Sequence, residues 1–320
     1  MSNIDLLYKK LEKLPSFYRE MLLGIPFENM SVTTKLKYAG DVHQFFSYLH
    51  KQNAYFGEKE ITEYTLDDIS KISSLDANEY MIYLLENHKG KTVSREIAAV
   101  SSMYKELMRF EKVKSNPFTL LKRPKEKEHV IIHLTEREKE NFLRVIKTGE
   151  GQTKKELSYH DPKRDLAIFT LFLNTGLRVS ELAGINIKDV DFEECQIIVR
   201  RKGGKVTSVY FSDKTADILE DYLESREETS IEAPLFVHKN GNRLSIRCIE
   251  RLCDKYTRLV GINKRITPHK MRSTFAMDFY EKTGDVLLLK EMMGHKNIVT
   301  TTVYAEATDL RKKEARNILD

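Results

Sequence analysis

The sequence predicts a mainly α-helical protein of two domains that carries one small β-sheet. Its 320 residues are enough for about two domains of roughly 150 residues each. Apolar residues recur at three- and four-residue spacing through most of the chain, the period of a helix with one buried face. Only between Val190 and Phe211 does the period fall to two.

The elements follow in order. Residues 1–30 read as a short helical extension that ends near Gly24-Ile25-Pro26. Ser31 opens a stronger helix in which Leu36, Val42, Phe45, Phe46 and Leu49 recur. A second helix is expected over Asp76 to Glu86, with Tyr80, Ile82, Tyr83 and Leu84 as its apolar positions. A third runs from Val93 to Phe110, where Ile97, Val100, Met103, Tyr104 and Leu107 share one face. Residues 31–120 are therefore expected to form one helical domain. Asn116-Pro117 marks a break, and the charged stretch 121–130, with Pro124 inside it, reads as the interdomain linker. The second domain, 131–320, opens with Thr135-Glu136-Arg137-Glu138, a helix start in which Thr135 caps and Glu138 completes a capping box. Helices are expected at 136–147 and 162–174. Gln196-Ile197-Ile198-Val199 and Thr207 to Phe211 flank Gly203-Gly204 as a hairpin, and 213–318 is mostly helical.

Composition narrows the function classes. The net charge of +5 comes from 53 basic and 48 acidic residues, so a nucleic-acid surface would have to come from local placement. Neither part is strongly basic, with 18 basic and 16 acidic residues in 1–124 and 35 and 32 in 125–320. The three cysteines, Cys195, Cys248 and Cys253, are too few and wrongly spaced for a disulfide framework or a zinc site. The strongest apolar run, Leu166 to Leu173, is too short to span a bilayer and reads as a buried helix. Met1-Ser2-Asn3-Ile4-Asp5 lacks the basic start and apolar core of a signal peptide, so a soluble, cytoplasmic protein is expected.

Four segments of the second domain hold cationic or nucleophilic residues. They are Thr175-Gly176-Leu177-Arg178-Val179-Ser180-Glu181-Leu182, Arg201-Lys202-Gly203-Gly204-Lys205, Thr267-Pro268-His269-Lys270-Met271-Arg272, and Met293-Gly294-His295 with Tyr304 nine residues further on. Singly, each has an ordinary explanation: a surface arginine, a solvated hairpin tip, a structural histidine, one of 15 tyrosines. Their joint order and spacing carry the signal.

In that order they resemble the tyrosine recombinase (phage integrase) family, in its Xer-like form. The resemblance covers the whole catalytic domain. It extends more weakly to 31–117, which is similar to the family's helical, SAM-like core-binding domain. It implies an enzyme that cuts and rejoins DNA through a 3′-phosphotyrosine, with two domains forming a C-shaped clamp around duplex DNA. The six residues it singles out are Arg178, Lys202, His269, Arg272, His295 and Tyr304. Attack on a phosphodiester concentrates negative charge on the non-bridging oxygens, so catalysis depends on positioned cations. Arg178 and Arg272 suit that task because a guanidinium binds phosphate oxygens bidentately and stays charged. Tyr304 is then the nucleophile, His269 the acceptor of its proton, and Lys202 the family's expected acid for the 5′-oxygen, with Lys205 as a rival. Lys202 matches the lysine of the family's Gly-Lys-Gly hairpin, although Arg201 stands at the first glycine. The family also uses tryptophan where His295 stands, which implies hydrogen bonding and packing there as much as proton transfer. Glu181, three residues after Arg178, is placed to orient it, and Gly294 is a natural helix C-cap after 286–293.

No cofactor and no metal are expected. The expected partners are a double-stranded DNA core site and three further protomers, identical or paired with a paralogue, on two synapsed sites; no membrane partner is expected. Asp309 to Asp320, with Leu310, Ala315, Ile318 and Leu319 among charges, reads as a C-terminal helix. It either packs on its own domain or, as in many members of the family, docks on a neighbouring protomer. Residues 1–30 are too short for a separate arm-binding domain, which favours a Xer-type recombinase or a compact mobile-element integrase. Two rivals stand beside this reading: a type IB topoisomerase, which uses similar chemistry without a specific site, and a catalytically silent DNA-binding protein.

Overall fold

Helix-capping side chains set most of the boundaries. The structure, a computed structural model, describes residues 2–88, 90–122, 131–201, 204–227, 230–295 and 297–307. It divides into two compact units, Met1–His129 and Val130–Asp320. Of the expected linker, 123–130 lie outside the described residues.

The first unit is helical: α1 (Asn3–Leu11), α2 (Ser16–Leu23), α3 (Val32–Gln52), α4 (Ala54–Gly57), α5 (Leu66–Ser70), α6 (Ser74–Asn87) and α7 (Gly90–Arg109). Ser31 caps α3 by accepting from the Thr34 backbone, and Ser73 and Asp76 form a reciprocal capping box on α6. Ala39, Val42, Phe45, Phe46 and Leu49 of α3 meet Val93, Ile97, Val100, Met103, Tyr104 and Leu107 of α7 in one buried cluster. Leu7, Leu11, Leu14, Tyr18, Leu22 and Phe27 belong to that same cluster, so residues 1–30 share a core with α3 and α7. On α6 the buried stripe is Ala77, Tyr80, Met81 and Leu84. Ile82 and Tyr83, expected on the apolar face, are 48% and 38% exposed. The reason is geometric, since residues 77, 80, 81 and 84 follow the helical period and 82 and 83 fall to the side of it.

The second unit comprises α8 (Glu136–Thr148), α9 (Lys154–Ser158), α10 (Pro162–Thr175), α11 (Val179–Gly184), α12 (Asp213–Glu224), α13 (Ile246–Val260), α14 (Pro268–Thr283), α15 (Val286–Met293) and α16 (Val299–Ala307). The capping box of Thr135 and Glu138 is present at the start of α8. α10 is the central element, with Ala167, Ile168, Phe169, Leu171 and Phe172 all fully buried. It packs against α8, α12 and α14. A three-stranded antiparallel sheet, β1 (Val190–Asp191), β2 (Gln196–Arg200) and β3 (Val206–Tyr210), flanks this core. In the β2–β3 register Ile197 faces Val209 and Arg200 faces Val206. Ile197 and Val199 point into the core while Ile198 and Arg200 are exposed, the alternation of a one-sided sheet. A third cluster gathers Phe275, Ala276, Met277 and Tyr280 of α14, Leu289 and Met293 of α15, and Tyr304 of α16. Among the described residues no helix is long and apolar enough to cross a membrane.

Candidate active site

The site is assembled around the C-terminal end of α15. Gly294 caps that helix in the left-handed region, with φ +59°. The last carbonyls of a helix have no partners within it and carry the negative end of its dipole. Here three successive ones each accept from a different guanidinium. Met292 O takes Nη2 of Arg201 at 3.1 Å, Met293 O takes Nη2 of Arg272, and Gly294 O takes Nη2 of Arg178 at 3.4 Å.

Arg178 is the N-cap of α11. Its backbone N–H donates to Glu181 Oε2 at 2.8 Å and its Nη1 to Glu181 Oε1 at 2.7 Å. Glu181 is buried and Arg178 is 40% exposed along its side chain, so the carboxylate holds the guanidinium at one edge and leaves the rest accessible.

Arg272, on α14, is 3% exposed. Its second hydrogen bond goes to the carbonyl of Gly176, which caps α10 with φ +60°. Arg272 thus bridges the negative ends of two helices. A Cβ at Gly176 would lie 2.3 Å from the ring of Phe275, so glycine is required there by space as well as by φ. Among the described residues no carboxylate lies within ion-pair distance of Arg272. Burial first, and then the positive charges of Arg178 and Arg201, bring its pKa down from 12.5 to about 10.

His295 follows Gly294 directly. Its Nδ1 shares a 2.9 Å hydrogen bond with Thr301 Oγ1. Burial, followed by Arg272, Arg178, Arg201 and His269, holds its pKa at about 4. The ring is therefore neutral at neutral pH. Thr301 is fully buried and stands one helical turn before Tyr304 on α16. Tyr304 is 6% exposed, packed in the cluster formed by α14, α15 and α16, and close enough to Arg272 to act on it electrostatically. His269 lies at the exposed start of α14, one residue after the helix's first-turn proline, and its charge reaches His295.

The structure thus gathers Arg178, Arg272, His295 and Tyr304 around one helix end, with His269 within electrostatic reach. Lys202 lies outside the described residues. Lys205 is exposed, and its carbonyl accepts from the Arg201 backbone at 2.8 Å across the hairpin. Two contributors escaped the sequence reading. Thr301 orients the imidazole, and nothing in the local pattern distinguishes it from an ordinary helical threonine. Arg201 drew notice only as a departure from glycine, yet its side chain is 9% exposed and sits 3.9 Å from Glu181. A signal for it existed: the alternation that turns Ile197 and Val199 inward continues to residue 201.

The arrangement concentrates positive charge, suited to an anion with several oxygens, next to a phenol. Among the described residues no group of three or more His, Cys, Asp or Glu is placed to hold a metal ion.

The profile of the Phage integrase family matches residues 133–311. The tyrosine recombinase XerC of Caldanaerobacter subterraneus subsp. tengcongensis is 33% identical over 303 residues, covering 90% of this chain and 81% of that protein. That of Pelobacter propionicus is 29% identical over 280 residues, covering 88% and 86%. Among solved structures, the Tn1549 transposon integrase in complex with transposon right end DNA has a TM-score of 0.68 at 21% identity and covers 100% of both chains. The XerH site-specific recombinase in its post-cleavage complex with a palindromic difH substrate has a TM-score of 0.67 at 18% identity, covering 99% of this chain and 94% of that one. At such identities the two structures establish a common fold.

Proposed function

This chain belongs to the phage integrase family, and from that premise we propose how it works as a site-specific tyrosine recombinase. Tyr304 attacks a DNA phosphodiester, the phosphorus–O5′ bond breaks, and a 3′-phosphotyrosine and a free 5′-hydroxyl result. Arg178 and Arg272 hold the non-bridging oxygens as charge builds on them. His269 takes the phenolic proton. Lys202 gives a proton to the departing 5′-oxygen. His295, neutral and fixed by Thr301, acts by hydrogen bonding and packing rather than by carrying a proton. The phosphotyrosine retains the bond energy, so a 5′-hydroxyl from another strand reverses the step without ATP. Five positively charged or hydrogen-bonding groups around one phosphate supply the charge stabilisation that a divalent metal would otherwise give.

One observation carries this reading. Among the described residues Arg272, buried beside Arg178, has hydrogen-bond partners that are carbonyls only, and Tyr304 lies within its electrostatic reach. A silent DNA-binding protein has no use for a buried cation held by carbonyls next to a phenol.

The finer picture extends from the same premise. Both units contact duplex DNA. Affinity rests largely on phosphate contacts and falls steeply with salt. Four protomers on two sites exchange strands, and the C-terminal segment 309–320, outside the described residues, links neighbours. The protein works in the cytoplasm, in replicon dimer resolution or as a compact mobile-element integrase.

The test is covalent capture. The full chain is incubated in EDTA with a pool of nicked random-sequence duplexes, and SDS-resistant adducts are sequenced. We expect one core site to be enriched, and its adduct to vanish in Tyr304→Phe while duplex binding persists. An adduct that survives Tyr304→Phe would overturn the assignment of the nucleophile. Tight binding without any adduct would favour the silent binder, and relaxation of any supercoiled plasmid without a site would favour the topoisomerase.

A further inference from the structure

Thr300, Thr301 and Thr302 follow one another in the first turn of α16, and their hydroxyls are used differently. A helical threonine ordinarily donates its hydroxyl proton to a carbonyl one turn back. Thr300 Oγ1 donates to Asn297 O at 2.6 Å, and Thr302 Oγ1 to Val299 O at 3.2 Å. Thr301 has no such carbonyl open to it. Asn297 O already accepts from the backbone and the hydroxyl of Thr300, and Ile298 O from the backbones of Thr301 and Thr302. A carbonyl oxygen has two lone pairs, so both are filled. Thr301 is 0% exposed, which puts its hydroxyl out of reach of bulk solvent. Among the described residues that hydroxyl has one hydrogen-bond partner, Nδ1 of His295 at 2.9 Å.

The direction of the bond follows. A neutral imidazole carries a proton on one nitrogen and a lone pair on the other. Were Nδ1–H to donate to Oγ1, the buried hydroxyl proton would find no acceptor among the described residues, the more costly defect. With Oγ1–H donating to Nδ1, both atoms are satisfied and the ring proton sits on Nε2. Nε2 has no hydrogen-bond partner among the described residues, and the charges of Arg272 and Arg178 act on the ring. The backbone N–H of His295 donates to Lys290 O at 3.1 Å, which fixes the residue against α15.

We propose that Thr301 is a positioning residue: its hydroxyl donates to Nδ1 of His295 and holds the ring in the Nε2–H form, so that His295 gives a hydrogen bond to a non-bridging phosphate oxygen. The same bond ties the histidine to the helix that carries Tyr304. In this form His295 has no free lone pair for the phenolic proton, which is left to His269. The donor role rests on the reading of Arg178 and Arg272 as the phosphate clamp and of Tyr304 as the nucleophile.

The experiment reads the tautomer and the chemistry separately. The full chain is labelled with ¹⁵N-histidine, and His295 is assigned by the signal lost in His295→Gln. Long-range ¹⁵N–¹H correlation at neutral pH distinguishes a protonated Nε2 from a protonated Nδ1. Wild type and Thr301→Ser should show the Nε2–H pattern. Thr301→Val keeps the shape without the hydroxyl and should show the two forms mixed. Its single-turnover rate of adduct formation should fall about tenfold, less than the roughly 10²- to 10³-fold for losing a donor outright, with duplex binding unchanged. Thr301→Ser, which keeps the hydroxyl if the valine variant does not fold, should stay within about threefold of the wild-type rate. In a His295→Phe background, which has no tautomer to fix, Thr301→Val should change the rate by less than about twofold. An Nδ1–H ring in the wild type would overturn the proposal, whatever the rates. An Nε2–H ring with a wild-type rate in Thr301→Val would overturn it too. An equal loss from Thr301→Val with and without His295 would make Thr301 a packing residue and overturn it as well. If the wild type formed no adduct at all, the phosphotyrosine reading and the donor role with it would fall, while the spectra would still decide the hydrogen bond.

Discussion

Two arginines of the second unit are buried to nearly the same degree and live in opposite electrostatic settings. Arg164, at the start of α10, donates twice to Asp165 Oδ1, at 2.9 and 2.7 Å, and Tyr256 completes the carboxylate from the other side at 2.6 Å. Burial pulls its pKa down, but the charge and hydrogen bonds of Asp165 outweigh that, and the net shift is upward. Among the described residues Arg272 donates only to the carbonyls of Gly176 and Met293, and its pKa falls to about 10. A carboxylate neutralises a guanidinium, whereas carbonyls satisfy its geometry and leave its charge in place. Arg164 is therefore a finished structural pair, and Arg272 is a cation held ready for an anion. Burial alone would not have told the two apart.

The largest expected effect separates their roles. Arg272→Ala should lower the rate of adduct formation by about 10³-fold, the upper range for losing one preorganised donor, and cost less stability than Arg164→Met, because relief of a buried charge offsets the two carbonyls left bare. Arg164→Met should do the reverse. It strands Asp165 in the core and costs roughly 3–5 kcal/mol of stability, while the protein that remains folded cleaves at close to the wild-type rate. Denaturant melts and single-turnover rates on the same samples check both; a large stability loss in Arg272→Ala would dissolve the distinction.

A smaller effect is expected at Glu181, the one carboxylate in the cationic site among the described residues. Glu181→Gln keeps the shape but gives up the charge-assisted hold on Arg178, so the adduct rate should drop by about tenfold. A faster variant would mean that Glu181 screens the phosphate site more than it orders it.

The smallest effect is a pH dependence produced by the burial of His295 and, after it, by the same cations. His295 titrates at about 4 when folded, against 6.5 for an ordinary imidazole. The unfolded chain therefore takes up a proton before the folded one does. Stability from this group is complete above about pH 6.5 and is lost as pH falls toward about 4. His295→Gln should shrink the fall in melting temperature between pH 7 and pH 5 by a few degrees, and the adduct rate should show no limb from His295 between pH 6 and 8. An unchanged fall in the variant would mean that other groups carry the acid sensitivity.

These contrasts also mark what a linear sequence can reveal. Features decided within one turn of chain were legible. Thr135 with Glu138 closes a capping box, Ser31 caps α3, Gly294 caps α15, and the alternation over 196–199 makes a strand. The buried face of α6 was partly misread, because Ile82 and Tyr83 are apolar yet lie off the stripe that meets the core. What depends on distant chain was not legible. That Arg164 meets a carboxylate is visible one residue away, but that Arg272 meets two carbonyls is set by helix ends 96 and 21 residues distant. Arg201 against Gly294 is likewise a contact between a hairpin and a helix cap far apart in sequence. The candidate residues were recognisable as a set from their order, while the reasons each is held where it is came from packing.

The burial of Tyr304 has a mechanical consequence. Its ring shares a cluster with Phe275, Leu289 and Met293, so in the proposed mechanism a strand joined to its oxygen would be fastened to the interior of the protein rather than to a surface loop. Tension on that strand would be borne by three packed helices together. Under that mechanism a covalent intermediate anchored in this way would be pulled by bent or twisted DNA without its phosphorus swinging far from the two arginines, and rejoining would begin from nearly the place where cutting ended.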